Sequence, residues 1–450
     1  MPAATTLSLV IFTRLPQPGR VKTRLIPALG AEGAAKLHDQ MTRLAVARGW
    51  AFCAAVPGRR LVIAYDGGSE RQLRTWLGRL NCLPQGEGDL GARLQRTVAG
   101  EFQRGVRSVL VIGADCPRLQ QGIVESAAFA LHSNDLTFGP AKDGGYYLVG
   151  LRKPIPEIFA GIPWGTADVL TVSVRKAQEL GIEPALLEPL PDVDQPDDLS
   201  EAQAALQTSR TISVIIPALN EAPNLKRLLP RLSAAQPHEV IVADGGSADD
   251  TVATAIALGA EVVRASRGRA RQMNAGAAAA TGEHLLFLHA DTDPPERFPD
   301  LVSTTLDQAM VSAGAFRFLL REPVLGSALI EWGVALRCAL LQLPYGDQGL
   351  FVRRALFQSL GGFRDWPILE DLAMVRHLRA LGRIVITSEP ALTSSRRWRD
   401  RGVIRTFLRH QRILLAYFLG SKPDPLASAQ TGCLPRSSSA RAEVETSYRP

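Results

Sequence analysis

The segment Phe287-Leu288-His289-Ala290-Asp291-Thr292-Asp293-Pro294 ends an apolar run on two carboxylates one residue apart. The run Leu285 to Leu288 predicts a strand. A strand that stops this way presents Asp291 and Asp293 at the carboxyl edge of a parallel sheet, where open α/β folds bind ligands. Two close carboxylates with nothing softer nearby suit Mg2+ or Mn2+, ions that share their coordination with substrate phosphates. Taken alone, the same residues also read as an Asp/Pro-rich turn after a strand.

Further clusters surround the pair. Val214-Ile-Ile-Pro217-Ala-Leu-Asn220-Glu221 sets polar side chains at the end of an earlier strand. Ile241-Val-Ala-Asp244-Gly245-Gly246-Ser247 ends the next one. Asp244 could accept hydrogen bonds from a base or ribose while the glycines allow close backbone approach. It reads equally as an Asx/Gly turn capping a helix from Asp249. Arg264, Arg267, Arg269 and Arg271 precede Gln272 and Asn274; they could clamp a diphosphate, or form a solvated basic loop before a small-residue helix from Ala277 to Ala280. Tyr345-Gly346-Asp347-Gln348-Gly349 then precedes Leu369-Glu370-Asp371. An acid at a helix start is often only a dipole partner. In a sugar-transfer site one carboxylate must take the acceptor's proton, and Asp371 is the candidate, with Glu370 beside it to orient or ion-pair.

Such side chains need strands that end together. Apolar runs of strand length alternate with helical patterns: Leu7–Phe12, Leu61–Tyr65, Val109–Ile112 and Leu136–Phe138, then Ile212–Ile216, Val240–Ala243, Glu261–Val263, His284–Leu288 and Ile384–Thr387. This predicts doubly wound α/β architecture. The halves share no readable repeat, yet each opens with a strand running into a Pro-containing loop and later has a strand ending in an acid followed by proline. The expected domains are 1–208 and 209–420, with a disordered tail, 421–450, rich in Ser, Ala, Pro and Arg.

In the first half, Gly19, Arg20, Lys22 and Arg24 follow the first strand and could cradle phosphates, without Walker A spacing. Asp115 is the metal candidate there. Lys142-Asp143-Gly144-Gly145-Tyr146-Tyr147 could shape a pocket, and Pro163-Trp164-Gly165-Thr166 and Asp192-Val193-Asp194-Gln195-Pro196-Asp197-Asp198-Leu199 complete the set.

Bulk properties restrict the partners. With 450 residues, 46% apolar and 21% charged, the chain can bury a sizeable core. A net charge of +7 favours anionic partners, though no nucleic-acid-binding signature is present. The five cysteines are scattered without C-x-x-C spacing, which fits a reducing compartment rather than a disulfide framework. The most apolar long window, Val324 to Leu343, is broken by Glu331 and Arg337, so a cytoplasmic protein, at most peripheral to an anionic membrane, is expected. Arg396-Arg397-Trp398-Arg399-Asp400-Arg401 leads into an amphipathic stretch, 401–420, readable as an interfacial helix near anionic lipid or as a helix packed on its own domain.

As a set, I-I-P-x-x-N-E, D-G-G-S-x-D-x-T, R-A-R-Q-M-N-x-G, H-A-D-T, G-D-Q-G and L-E-D make residues 211 to about 420 resemble a family 2 glycosyltransferase of the GT-A fold. The branch named for arsenosugar biosynthesis, which also resembles carotenoid-ester glycosyltransferases, is the nearest. The resemblance implies inverting transfer from a nucleoside-diphosphate sugar to a small or lipid-like acceptor, with Asp371 as base and Asp291 and Asp293 on Mg2+ or Mn2+. It places Asp244 with Glu221 on the nucleoside. Pro217, Asn220, Gly245, Arg269, Arg271, Gln272, Asn274, Asp347, Gln348, Arg397 and Trp398 are the other implied donor contacts. Ser394 stands where processive members carry the Gln of Q-x-x-R-W, which argues for single transfer.

Residues 7 to about 205 resemble GT-A nucleotidyltransferase-like proteins related to phospholactate and molybdenum-cofactor guanylyltransferases, through P-G-x-x-K-T-R, G-x-D-x-P, D-G-G-Y-Y-L and D-V-D-x-P-x-D-L. That resemblance implies Mg2+ on Asp115 and Asp194 and a nucleoside triphosphate on Arg20, Lys22 and Arg24. Such a half could activate a sugar, transfer one, or only bind a nucleotide. The fold expected for the whole chain is therefore two tandem GT-A domains with Rossmann-like, mainly parallel sheets.

Overall fold

The computed structural model describes residues 5–396, together with Arg399 and Arg412. Arg397, Trp398, the rest of the amphipathic stretch and the tail 421–450 lie outside the described residues.

Two mainly parallel sheets are present. The first contains β1 (Leu7–Arg14), β2 (Arg59–Asp66), β3 (Asn81–Pro84), β4 (Ser108–Gly113), β5 (Leu136–Pro140), β6 (Tyr146–Leu151) and β7 (Ala185–Leu186), in the order β3-β2-β1-β4-β6-β5-β7. The second contains β8 (Ile212–Ala218), β9 (Glu239–Asp244), β10 (Glu261–Arg264), β11 (His284–Phe287), β12 (Thr292–Asp293), β13 (Val311–Leu320), β14 (Leu350–Arg353) and β15 (Arg383–Thr393). Its order is β10-β9-β8-β11-β14-β13-β15-β12. Apart from the added β12, the two orders are the same plan. In each, β1 or β8 pairs in parallel with its neighbours on both sides, and the fourth strand then meets an antiparallel partner.

The central strands are buried on both faces, so their near-continuous apolar runs read clearly in the sequence. β13 went unread. It is a buried ten-residue strand joined to β15 with register shifts. Its glycine and phenylalanines break the β-branched pattern, and Gly314 is needed because an added Cβ would lie 2.3 Å from the Phe351 ring.

One expectation is corrected. The arginine cluster is not a loop before a helix at Ala277, because the helix runs Arg269–Ala279. Ala270, Met273 and Ala277 bury at helical spacing against the sheet, while Gly268 supplies the φ of +140° at its start. Arg269 and Arg271 are thus fixed on the first turn.

The halves pack on each other. Trp50, on the helix Ile26–Ala55, belongs to the same apolar cluster as Val352 and Leu356. Arg48 meets Glu283 at 3.3 Å, and Arg353 lies over the Trp50 ring at 5.9 Å.

Candidate active site

In the second sheet, β8, β9 and β11 deliver their loops to one edge. The helix Glu370–Leu381 points its N-terminus at the same place, after Leu369 turns the chain with φ of 64°. Asp371, in the first turn, accepts the Gly346 N–H on Oδ2 at 2.8 Å and the Leu372 N–H on Oδ1 at 2.7 Å. These bonds hold the carboxylate across from the turn Gly346–Gln348. Glu370 is 1% exposed and meets Arg269 at 3.2 Å. Burial and the Asp371 charge push its carboxyl above the ordinary range. Burial would lower the Arg269 guanidinium, yet Glu370, Asp371, Asp347 and Asp291 together lift it. Of these acids Glu370 is the one in contact with Arg269.

The acidic pair separates. Asp291 sits near this cluster, its backbone carbonyl fixed by Ser394 N at 3.1 Å and Arg321 Nη2 at 2.7 Å. Asp293 is 3% exposed, with Oδ1 paired to Arg227 and Oδ2 to Arg321 at 2.9 Å. β12 begins at Thr292, so Asp291 stands in the turn before the strand while Asp293 is buried within it, each with its own partners. The two-carboxylate clamp does not fit, because Asp293 is neutralised by two cations. Asp291 alone fits an ion that takes one protein carboxylate and completes its shell with phosphate and water. Among the described residues no group of three or more His, Cys, Asp or Glu gathers as a metal cluster.

Several implied donor contacts have structural duties. Gln272 is buried and donates to Ala218 O at 2.7 Å and Ala243 O at 2.9 Å, tying β8 to β9. Gly245 leaves room for it, since a Cβ there would lie 2.9 Å from the Gln272 amide. Asn274 exchanges two bonds with Phe363 and holds the turn before the helix Glu370–Leu381. Gln348 accepts from Arg337 at 3.2 Å and donates to Phe316 O at 3.0 Å. Arg271 is exposed on the helix's outer side, paired with Asp365 at 2.8 Å.

Asp244 takes the turn role, accepting Gly246 N at 3.0 Å and Ser247 N at 3.2 Å. Asn220, in the left-handed region, accepts Ala248 N at 2.8 Å, and Glu221 accepts from Asn224 at 2.5 Å. Pro217 lies within β8, opposite Ala243. These residues shape the β8 and β9 loop ends beside the acidic cluster. Asp347 gives its carbonyl to Thr393 at 2.8 Å. Arg397 and Trp398 lie outside the described residues. His289, of the H-A-D-T motif, packs beside the turn Gly346–Gln348. A Cβ on Gly346 would come within 2.9 Å of its Nε2 and 3.3 Å of Asp371 Oδ2.

The first sheet carries its own cavity, of about 720 Å³. Arg20, Lys22, Arg24, Asp115, Asp143, Tyr146, Tyr147, Trp164, Asp192 and Asp194 line it, so the predicted clusters converge. Gly19 is not among the lining residues and turns the loop with φ of +77°. Lys22 Nζ lies 2.9 Å from Asp115 Oδ1 and 4.0 Å from Asp194 Oδ1, and Arg24 pairs with Asp194. The ammonium holds the position where the two acids were expected to bind an ion, so Mg2+ on both does not fit with Lys22 in place. Buried His38, unread in the sequence, places Nδ1 3.9 Å from Asp115, and burial lowers its pKa. Burial and Asp143 push Asp192 up to about 6.

Residues 51–166 match the family described as "Uncharacterized protein conserved in bacteria (DUF2064)", and residues 213–319 match "Glycosyl transferase family 2". The C-terminal half carries a glycosyl transferase family 2 domain. Glucosyl-3-phosphoglycerate synthase of Mycobacterium tuberculosis H37Rv is 34% identical over 109 residues, 22% of this chain and 33% of that protein. Undecaprenyl-phosphate 4-deoxy-4-formamido-L-arabinose transferase of Yersinia enterocolitica is 32% identical over 108 residues, 21% of this chain and 33% of that protein. The chain thus spans about a third of the curated relatives it matches. A crystal structure assigned as a nucleotide-diphospho-sugar transferase from Desulfovibrio desulfuricans G20 is 29% identical, covering 45% of this chain and 96% of that one, with a TM-score of 0.40. The Mycobacterium tuberculosis glucosyl-3-phosphoglycerate synthase, solved with Mn2+, UDP and glucosyl-3-phosphoglycerate, is 24% identical, covering 51% and 82%, with a TM-score of 0.35. The match to glycosyl transferase family 2 includes Asp244, Asp291 and Asp293, while Asp347, Glu370 and Asp371 lie beyond it. Among the described residues no helix is long and apolar enough to cross a membrane.

Proposed function

We propose that the chain transfers a sugar, with inversion, from a nucleoside-diphosphate sugar to a small or lipid-like acceptor. The observation carrying this reading is the pair of Glu370 with Arg269 at 3.2 Å beside Asp371, which the Gly346 amide holds, in the half that matches glycosyl transferase family 2. Asp371, held by the Gly346 amide, accepts the proton of the acceptor hydroxyl. The freed oxygen attacks the anomeric carbon as the bond from that carbon to the diphosphate breaks, and the nucleoside diphosphate leaves with the electron pair. Glu370, paired with Arg269, fixes the guanidinium that faces the departing charge. Asp291 would hold Mg2+ or Mn2+, which as a Lewis acid neutralises charge on the leaving group. The β8 and β9 loops, with Asp244 and Glu221, take the nucleoside. Affiliation to the branch named for arsenosugar biosynthesis, and resemblance to carotenoid-ester glycosyltransferases, belong to the same reading, as do a cytoplasmic setting and the domain limits 1–208 and 209–420.

The test is release of nucleoside diphosphate from a panel of nucleotide sugars with Mn2+ and candidate acceptors. Asp371→Asn should abolish turnover while keeping donor affinity. Undiminished turnover by that variant would remove Asp371 as the base.

A second reading concerns the first half. The cavity lined by Lys22, Arg20 and Arg24 suits a phosphorylated nucleotide, which would exchange those cations from carboxylate to phosphate. Pyrophosphate released from a nucleoside triphosphate and a sugar phosphate, and lost in Asp115→Ala, would make this half a supplier of activated sugar.

A further inference from the structure

The helix Ser327–Leu341 is built the wrong way round for water. Leu325 and Leu329 are 98% and 70% exposed, and Trp332, Leu336 and Leu340 are 63%, 40% and 69% exposed. Their spacing of three and four residues makes one outward apolar stripe. The helix has two charged residues, Glu331 and Arg337, and both are satisfied inward. Glu331 accepts the Leu320 N–H at 3.1 Å; Arg337 donates to Leu343 O at 2.9 Å and stacks on the Tyr345 ring at 3.5 Å. The outer face thus carries no charge along its length.

Beside it runs a groove of about 590 Å³, walled by Phe318, Ala335, Cys338, Ile384 and Ile386, with exposed Arg317 at its rim. Gln348 lines the groove too, and belongs to the turn whose Gly346 amide holds Asp371. The chain also leaves the described region here. Ser395 donates from N and Oγ to Glu322 at 3.1 and 3.0 Å, a few residues before the helix. The sequence from that point reads Arg396, Arg397, Arg399, Arg401, Arg405, Arg409 and Arg412 against the single acid Asp400.

We propose that this helix lies in the interface of a bilayer containing anionic lipid. Leu329, Trp332, Leu336 and Leu340 enter the acyl boundary, and exposed Arg396 and Arg399, next to Ser395, meet the headgroups. An uncharged stripe with a tryptophan supplies apolar burial, and the arginines at Arg396 and Arg399 supply the attraction that selects a negative surface. Docking turns the groove mouth to the lipid, so that an acceptor with an apolar tail reaches Asp371 from the bilayer. That last consequence rests on the transfer proposed above; the docking does not.

Flotation of the full chain tests it, using vesicles of phosphatidylcholine alone and of phosphatidylcholine with phosphatidylglycerol. The protein should float with the mixed vesicles only, and brominated lipid should quench Trp332 emission, read as the difference from Trp332→Phe. Leu329→Glu combined with Leu340→Glu should weaken the vesicle-bound fraction about tenfold or more, with nucleotide binding retained as evidence of folding. Equal flotation on both vesicle types, or undiminished flotation of the double variant, would overturn the proposal. Unquenched Trp332 in floating protein would overturn it too, and assign the stripe to a second copy or to the chain beyond Arg396. Nucleoside diphosphate release onto a water-soluble acceptor, measured separately, tells failure of the transfer reading from failure of the docking.

Discussion

Asp115 and Asp291 occupy the same place in two sheets of one strand order, each just past the strand that pairs in parallel with the first strand of its sheet. Their surroundings differ in one respect that sets their chemistry. The loop after β1 brings Lys22 to within 2.9 Å of Asp115, whereas the loop after β8 brings Asn220 and Glu221, which accept from Ala248 N and Asn224.

The Lys22 ammonium competes with any ion for Asp115 and Asp194. Lys22→Met should therefore strengthen Mn2+ binding to the first domain by about tenfold, the effect of removing one like charge worth on the order of 1.4 kcal/mol near a partly exposed site. The same change should abolish binding of a nucleoside triphosphate there. Calorimetric titration with Mn2+ and then with nucleotide reads both, and unchanged Mn2+ affinity would show that Lys22 does not guard the acids.

The separation of Asp291 from Asp293 divides function from stability. Asp291→Ala should weaken Mn2+-dependent donor binding with little change in thermal stability. Asp293→Ala strands Arg227 and Arg321 beside an emptied buried position. Both arginines reach some solvent, so the loss should be on the order of 2–3 kcal/mol, below that of a fully buried pair. Thermal unfolding of the two variants side by side checks this; equal losses would contradict the division.

That division shows what the sequence could and could not reveal. Strand ends were legible because β8, β9 and β11 are buried on both faces and stop at polar residues. The role of each acid was not, since Asp293 draws Arg227 and Arg321 from 66 and 28 residues away. Gln272 and Gln348 matched a family pattern, yet their amides satisfy backbone carbonyls that a crossing of strands and turns would leave buried. Motif membership selects the neighbourhood of a site; hydrogen-bond partners decide which members face the substrate. His38 has no spacing signal, because a long helix brings it in from outside the acid motifs.

Gly346 gives Asp371 its amide and has no room for a side chain. A Cβ would lie 2.9 Å from His289 Nε2 and 3.3 Å from Asp371 Oδ2. Gly346→Ala should lower turnover by roughly a hundredfold, the cost of a small misplacement of a reacting group, while donor affinity holds. Kinetics at saturating donor read this, and an unaltered rate would detach this turn from the chemistry.

At the junction of the halves, His284 is 5% exposed. Burial, helped by Arg353, Arg48 and Arg210, drives its pKa from the ordinary 6.5 down to about 3. The folded protein thus refuses a proton that the unfolded chain accepts. Its contribution to stability is complete above 6.5 and is lost as the pH falls from 6.5 towards 3, at about 1.4 kcal/mol per pH unit for one proton. Asp307, whose carboxyl burial raises, acts in the opposite sense, because its contribution is lost as pH rises. Comparing His284→Phe with the parent isolates the histidine. Urea unfolding at about neutral pH and at about pH 5 should show a slope one proton shallower in the variant. Parallel slopes would mean that His284 takes up its proton without opening the junction between Arg353 and Trp50.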